Sequence, residues 1–364
     1  MSTQRARCLV LSAVCLLTCI PIVLEAASPQ RIRSVSIDPP FFNPGARQFS
    51  TVTFQAAVPG TASVTILDRD RHPVRRLTSR FVAPGLASFV WDGRDEAGTI
   101  VPDEAWNIRI ELAGETYDPS LNFHPIAEDP QPRVYSRVDG ILSYRLTRPS
   151  RVHIEAGQAT LNPKTGRNEG PILKTLVNRE PRVKGAVVEK WNGFDESGTI
   201  RVSDLPHFVI GVLATSLPDN SIITRGNRRE SFLDYARRHR PPAAPAVRKR
   251  AAPIRHHEGL DAFEDRSPSL RIAHAWAASK ALRIEVAIEG ATAAQFLAQP
   301  TQMSVYVGET RVLTRGKPSS PLVLSIPAEH LPPGEHRIAV NWGSDYGPAA
   351  ANAFRLRVPV GVRR

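Results

Sequence analysis

Trp91-Asp92-Gly93-Arg94-Asp95-Glu96-Ala97-Gly98-Thr99-Ile100 returns a hundred residues later as Trp191-Asn192-Gly193-Phe194-Asp195-Glu196-Ser197-Gly198-Thr199-Ile200. Each copy closes an apolar run, makes a tight turn and leads into another apolar run. A period of this size is the length of a β-sandwich domain and far longer than a solenoid repeat. The pair therefore predicts an all-β chain that opens with two tandem sandwich modules. Trp91 and Trp191 are expected to plug the two cores, where a large ring fills an open end. Asp92, Gly93 and Asp95, with Asn192, Gly193 and Asp195, are expected to build the turn itself. Glycine accepts positive φ there, and short polar side chains bond nearby amides. The same oxygens could be offered to calcium, but they lack the every-second-residue spacing of an EF-type loop, so no metal is expected.

The flanking runs support the same fold. Residues 32–37, 49–58, 62–67, 74–81, 87–91 and 106–112 read as short strands, punctuated by Pro59-Gly60, Pro84-Gly85 and Asp92-Gly93. Val64 and Ile66 share a face, as do Ile108, Ile110 and Leu112, with polar residues between them. This first module spans 31–114, and a second, after a Pro-rich junction, spans 131–225. The second copy carries an insertion at 157–171 with Asn162-Pro163-Lys164-Thr165-Gly166 at its tip. Such an extended loop is where individual function is expected.

Modules one and two resemble the immunoglobulin-like domain at the C-terminal end of flagellar hook-capping proteins and in many secreted bacterial proteins. The pattern is carried by Val64-Thr65-Ile66-Leu67-Asp68, Val74-Arg75-Arg76-Leu77, Pro84-Gly85, the Trp91 turn and Val101-Pro102-Asp103. The second copy keeps the Trp191 turn and Leu173-Lys174-Thr175-Leu176, but places His207 where the first has Trp106. The resemblance implies an immunoglobulin-like sandwich that acts as a scaffold or adhesive spacer, and it implies no catalytic residues.

A third sandwich is expected over 269–360, with strands at 282–288, 303–313, 321–326, 336–342 and 353–358. It lacks the Trp-Asp-Gly turn, which marks it as a different and only loosely related subtype of bacterial immunoglobulin-like domain. Between it and module two, residues 226–268 form an Arg-, Pro- and Ala-rich tether. This stretch is expected to be extended and largely disordered, with at most a helical turn or two near 231–238. The chain carries a formal net charge of +12, and residues 225–257 hold ten Lys/Arg against two acids. Arg237, Arg238, Arg240, Arg248, Lys249 and Arg250 could thus meet an anionic surface through counterion release, although a solvated spacer is the simpler reading. Nothing in the pattern points to a specific nucleic-acid partner, because aromatics for base stacking are not interleaved.

The N-terminus reads as a secretory signal over 1–27: basic Arg5 and Arg7, an apolar stretch from Leu9 to Leu24, then small Ala26 and Ala27. All three cysteines, Cys8, Cys15 and Cys19, fall inside it, so no disulfide or thiolate site is expected after cleavage. Lipid attachment at Cys19 is the lesser alternative to simple cleavage. No later stretch is long enough to span a bilayer. The expected location is periplasmic or extracellular.

Asn341, Trp342, Asp345 and Tyr346, on a Gly-rich loop, could stack on a sugar and bond its hydroxyls, or could simply pack inward. His256-His257-Glu258 can ligate metal, but adjacent side chains in a tether do not share one coordination sphere, so no metal or other cofactor is expected. The sequence has no Gly-x-Ser-x-Gly elbow, His-Glu-x-x-His or phosphate-binding loop. The expectation is a non-enzymatic scaffold of independent beads that binds a protein or a cell-surface polysaccharide. The alternatives are an accessory carbohydrate-binding protein and an anionic-surface binder.

Overall fold

The computed structural model describes residues 30–163, 166–240, 269–277, 281–290, 293–298, 300–343 and 349–359. The protein is all-β and forms three sandwiches. The first contains β1 (Ile32–Asp38), β2 (Phe41–Phe42), β3 (Ser50–Ala56), β4 (Gly60–Leu67), β5 (Pro73–Val82), β6 (Gly85–Trp91), β7 (Glu104–Leu112) and β8 (Glu115–Tyr117). The second contains β9 (Ala127–Glu128), β10 (Val134–Ser136), β11 (Ile141–Leu146), β12 (Ser150–Gln158), β13 (Thr160–Asn162), β14 (Arg167–Glu169), β15 (Ile172–Arg182), β16 (Gly185–Lys190) and β17 (Phe208–Ser216). Then come β18 (Ile222–Thr224) and helix α1 (Phe232–His239). The third sandwich has β19 (Ser269–Ala277), β20 (Ala281–Glu289), the short helix α2 (Ala293–Leu297), β21 (Gln302–Val307), β22 (Thr310–Gly316), β23 (Leu322–Pro327), β24 (Gly334–Gly343) and β25 (Ala349–Val358).

One topology recurs three times. A three-stranded sheet, β1-β3-β6, β10-β11-β16 or β19-β20-β23, faces a second sheet built on β5-β4-β7, β15-β12-β17 or β22-β21-β24. The third sandwich repeats the strand order without the Trp-Asp-Gly turn. Alternation supplies the cores, with Val64, Ile66, Ile108 and Ile110 buried in the first and Val152, Ile154, Val212 and Ala214 in the second. The run 303–313, expected as one strand, is a hairpin, because Gly308 (φ 61°) and Glu309 turn β21 into β22.

The edge beside the last strand of each second sheet is completed differently. The third sandwich uses its own β25 beside β24. The second borrows β9, which precedes it and pairs with β17. The first is finished by β18, which returns from beyond the second sandwich and pairs antiparallel with β7 and parallel with β2. The second module thus ends before residue 222, short of the expected boundary at 225, and the beads are not independent.

The tether expectation also changes over its first part. Ser231 caps α1, its hydroxyl accepting from the Asp234 N–H at 3.2 Å, and Arg237, Arg238 and His239 lie in the last turn, where the helix dipole favours positive charge. Phe232, Tyr235 and Ala236 form its buried face and join the core of the first sandwich. An apolar stripe at i, i+3, i+4 outweighed the basic composition here. Residues 241–268 lie outside the described residues.

Candidate functional site

The repeated turns carry the chemistry expected of them. In the first, the Arg94 N–H donates to Asp92 Oδ1 at 3.1 Å and the Thr99 N–H to Asp95 Oδ1 at 2.8 Å. In the second, the Phe194 N–H donates to Asn192 Oδ1 at 3.1 Å and the Thr199 N–H to Asp195 Oδ1 at 2.9 Å. Each indole N–H donates to the carbonyl three residues on, Trp91 to Arg94 and Trp191 to Phe194. A side chain on Gly93, which has φ 74°, would sit 2.5 Å from Pro44 Cβ, so the turn requires glycine.

The aromatic surroundings also match. Trp91 meets Phe42 and Trp106 edge-on at 5.6 and 6.1 Å between ring centres, and Trp191 meets Tyr135 and Phe208 at 5.2 and 6.0 Å. The counterpart of Trp106 is therefore Phe208 and not His207. The slip enters just after the turn: the Val101 N–H donates to Gly93 O, but in the second copy the donor to Gly193 O is Ser203, two places further along. A short 3-10 turn, Val202–Asp204, takes up the extra length.

Trp342 itself offers no face to a sugar. Trp342 is fully buried in β24, its indole N–H donates to Thr301 Oγ1 at 3.0 Å, and Phe296 packs edge-on against it. An indole with no exposed face cannot stack on a ligand. Asn341 is committed elsewhere: its Nδ2 donates to Ile172 O at 2.8 Å and its Oδ1 accepts from the Ile172 N–H at 3.0 Å, tying the third sandwich to the second. Asp345 and Tyr346 lie outside the described residues. So do Arg248, Lys249, Arg250 and the signal segment.

The 157–171 insertion was expected to carry individual function. Its described residues take part in the same joint. Gln158 Nε2 donates to Glu309 Oε1 at 2.7 Å, His207 pairs with Glu309 at 2.8 Å, and Arg311 reaches Glu169 at 2.9 Å. Tyr306, Ala339 and Ala353 of the third sandwich pack with Ala156 and Leu173 of the second. Arg237 and Arg238 point outward but pair with Asp234 and Glu230, and Arg240 bridges Asp68 and Asp70 at 2.6 Å each.

The structure also assembles a constellation between the first two sandwiches that the sequence reading missed. Glu104, fully buried, accepts from Arg69 of the first sandwich and, at 2.5 Å, from Arg151 of the second. Burial alone would raise its carboxyl; the Arg151 and Arg69 charges together outweigh this and hold it below the ordinary carboxylate range. Phe232 lies near Arg69 and Arg240, whose guanidinium carbons stand 3.8 and 5.4 Å from its ring centre. Above this pair a cavity of about 330 Å³ opens between the sandwiches, lined by Arg69, Arg71, Arg151, His153, Arg179 and Leu213 among others. Glu104 carries no local signal in the sequence. Its partners sit 35 and 47 residues away in sequence, and no spacing rule connects them.

No protein-family model and no curated protein matches this sequence. Among solved structures, FlgD from P. aeruginosa is 25% identical over 20% of this chain, which spans 57% of that one, at a TM-score of 0.18. A tetra-tandem repeat from the extending region of a large adhesion protein is 12% identical, covering 89% of this chain and 73% of its own, at 0.21. A 1.5-MDa bacterial ice-binding adhesin is 11% identical, covering 92% and 99%, also at 0.21. Among the described residues no helix is long and apolar enough to cross a membrane, and none of their His, Asp and Glu side chains form a group of three that could hold a metal.

Proposed function

We propose that this protein is an exported, non-enzymatic binding scaffold that acts at the cell surface by presenting three sandwiches as one stiff body to a protein or polysaccharide partner. The observation that carries this reading is the buried Arg69–Glu104–Arg151 bridge, which joins the first two sandwiches beneath the returning β18 and α1. Flexible spacers do not bury ion pairs at their joints, because a charge desolvated without its partner costs several kcal/mol. The Asn341–Ile172 pair of hydrogen bonds extends the same stiffness to the third sandwich. The sugar-platform alternative loses its main residue to the core of the third sandwich, and in the basic-tether alternative Arg237, Arg238 and Arg240 are already paired with Asp234, Glu230 and the Asp68 and Asp70 carboxylates.

Two measurements test the proposal. Fractionation of cells carrying a C-terminally tagged chain is expected to find it outside the cytoplasm; retention inside would overturn the exported part. Small-angle scattering of the purified chain is expected to give one compact distance distribution. A multi-lobed, flexible profile would overturn the scaffold part.

A further inference from the structure

We infer that the cavity between the first two sandwiches binds a small organic anion, a carboxylate or phosphate ester carried on an apolar body. This deepens the scaffold reading by giving its joint a ligand, but it would hold even if the protein were not exported.

The floor of the cavity is the outer face of β15-β12-β17. In that sheet His153 pairs across to Leu213 and Arg151 to Thr215, while β15 bulges opposite His153 so that Asn178 and Arg179 together face one residue. A bulge re-aims side chains, and Arg179 adopts φ 53° within it. Repeat 1 has the same bulge, with Thr78 and Ser79 opposite Ser63. The bulge itself therefore belongs to the fold. What distinguishes repeat 2 is its cargo: Arg151, His153 and Arg179 stand where repeat 1 has Thr61, Ser63 and Ser79. These three residues meet Arg69 and Arg71 of repeat 1 across the cleft.

The charge balance favours an anion. The cavity lining holds four arginines and a histidine against a single carboxylate, Asp70, which Arg240 also bridges. Behind the lining, Glu104 is shared by Arg69 and Arg151, Asp118 by Arg71 and Arg109, and Glu155 pairs with His153 at 3.0 Å. Arg71 Nε is buried without a hydrogen-bond partner, a condition rarely left unmet in a folded protein. The rest of the lining is largely apolar, with Phe123, Pro125, Leu213, Leu217 and Pro218. A planar guanidinium matches two oxygens of a carboxylate or phosphate at once, and a volume near 330 Å³ suits one ring with its acidic group.

Calorimetric titration of the full chain with benzoate, phenyl phosphate, inorganic phosphate and phenol tests the inference. Benzoate or phenyl phosphate, whichever matches the source, is expected to bind, with inorganic phosphate weaker and neutral phenol silent. Leu213→Glu places a negative charge on the exposed rim without touching a core and is expected to weaken binding by about tenfold or more. Arg71→Gln is expected to do the same, with unchanged circular dichroism confirming the fold of both variants. The inference fails if neither organic anion binds at millimolar concentration, if phenol binds as well as they do, or if Leu213→Glu binds like wild type.

Discussion

The two tandem repeats share a turn and differ in what completes it. In repeat 2, Ser197 donates its hydroxyl to Asp195 Oδ2 at 2.7 Å, so the turn closes with its own residues. Repeat 1 has Ala97 at that place, and Asp95 Oδ2 is instead met by the Tyr235 hydroxyl at 3.4 Å and His239 Nε2 at 3.0 Å, both from α1. Edge completion follows the same division: β9 lies just before repeat 2, whereas β18 reaches repeat 1 only after the whole of repeat 2 has been traversed. One copy is locally self-sufficient. The other cannot be finished until the chain returns, and this dependence welds the pair together.

The largest effect should come from the ring that reads this return. Trp106 is fully buried, touches Trp91, Phe232 and Tyr235, and donates its N–H to Thr224 Oγ1 of β18 at 2.8 Å. Trp106→Ala should cost about 3–5 kcal/mol and release α1. Its counterpart Phe208 is only partly buried, so Phe208→Ala should cost clearly less. Urea unfolding followed by circular dichroism checks the order; equal losses would mean that the return adds nothing to repeat 1.

Next in size is the bridge between the repeats. Glu104→Ala strands two guanidiniums and should cost about 3–5 kcal/mol. The acid limb gives a sharper test. The folded Glu104 carboxyl lies below its ordinary 4.5, so the native state holds the charged form more tightly than the unfolded chain does. Its contribution is therefore complete above that ordinary value and is lost as pH falls through the folded one. Glu104→Gln should flatten the decline in stability on acidification; an acid limb as steep as wild type would show the bridge to be idle.

The contrast between the copies also explains what could be read in the sequence. The six strands of repeat 1 and the core role of Trp91 and Trp191 were legible because period-2 alternation and Asp-Gly turns are local signals. The slip from His207 to Phe208 was not, since two inserted residues leave no mark until Ser203 is seen bonded to Gly193. The return of β18 is three residues long, too short for any periodicity. The helical turns near 231–238 were legible and form α1, but their docking on the first sandwich through Phe232, Tyr235 and Ala236 was not, because the surrounding arginines read as a solvated tether. Trp342 was read with its loop, yet Ile338, Val340 and Trp342 share the inward face of β24, a pattern that favours the core. The cleft joins Arg69, Glu104 and Arg151, and only the tertiary arrangement brings them together.

The joint to the third sandwich should respond more modestly. Asn341→Ala removes both hydrogen bonds to Ile172 and leaves a strand amide and carbonyl without those partners, a loss of about 1–3 kcal/mol. Hydrogen exchange is expected to accelerate at Ile172 while the amides of repeat 1 stay protected. Uniform acceleration would place the effect outside the joint.

The smallest effect is the most specific to the comparison. Ser197→Ala should cost about 1 kcal/mol, because Asp195 loses a donor that nothing replaces. Tyr235→Phe should cost repeat 1 less, since His239 still meets Asp95 and the bond it removes is long. Ala97→Ser would then give repeat 1 the hydroxyl that repeat 2 already has. Added to Tyr235→Phe it should restore most of the loss, while alone it should change little, because Asp95 Oδ2 is already served from α1. A double-mutant cycle between positions 97 and 235 reads this as a coupling of a few tenths of a kcal/mol or more. Strict additivity would mean that the helix and the turn do not share the carboxylate, and that the two copies close their turns alike.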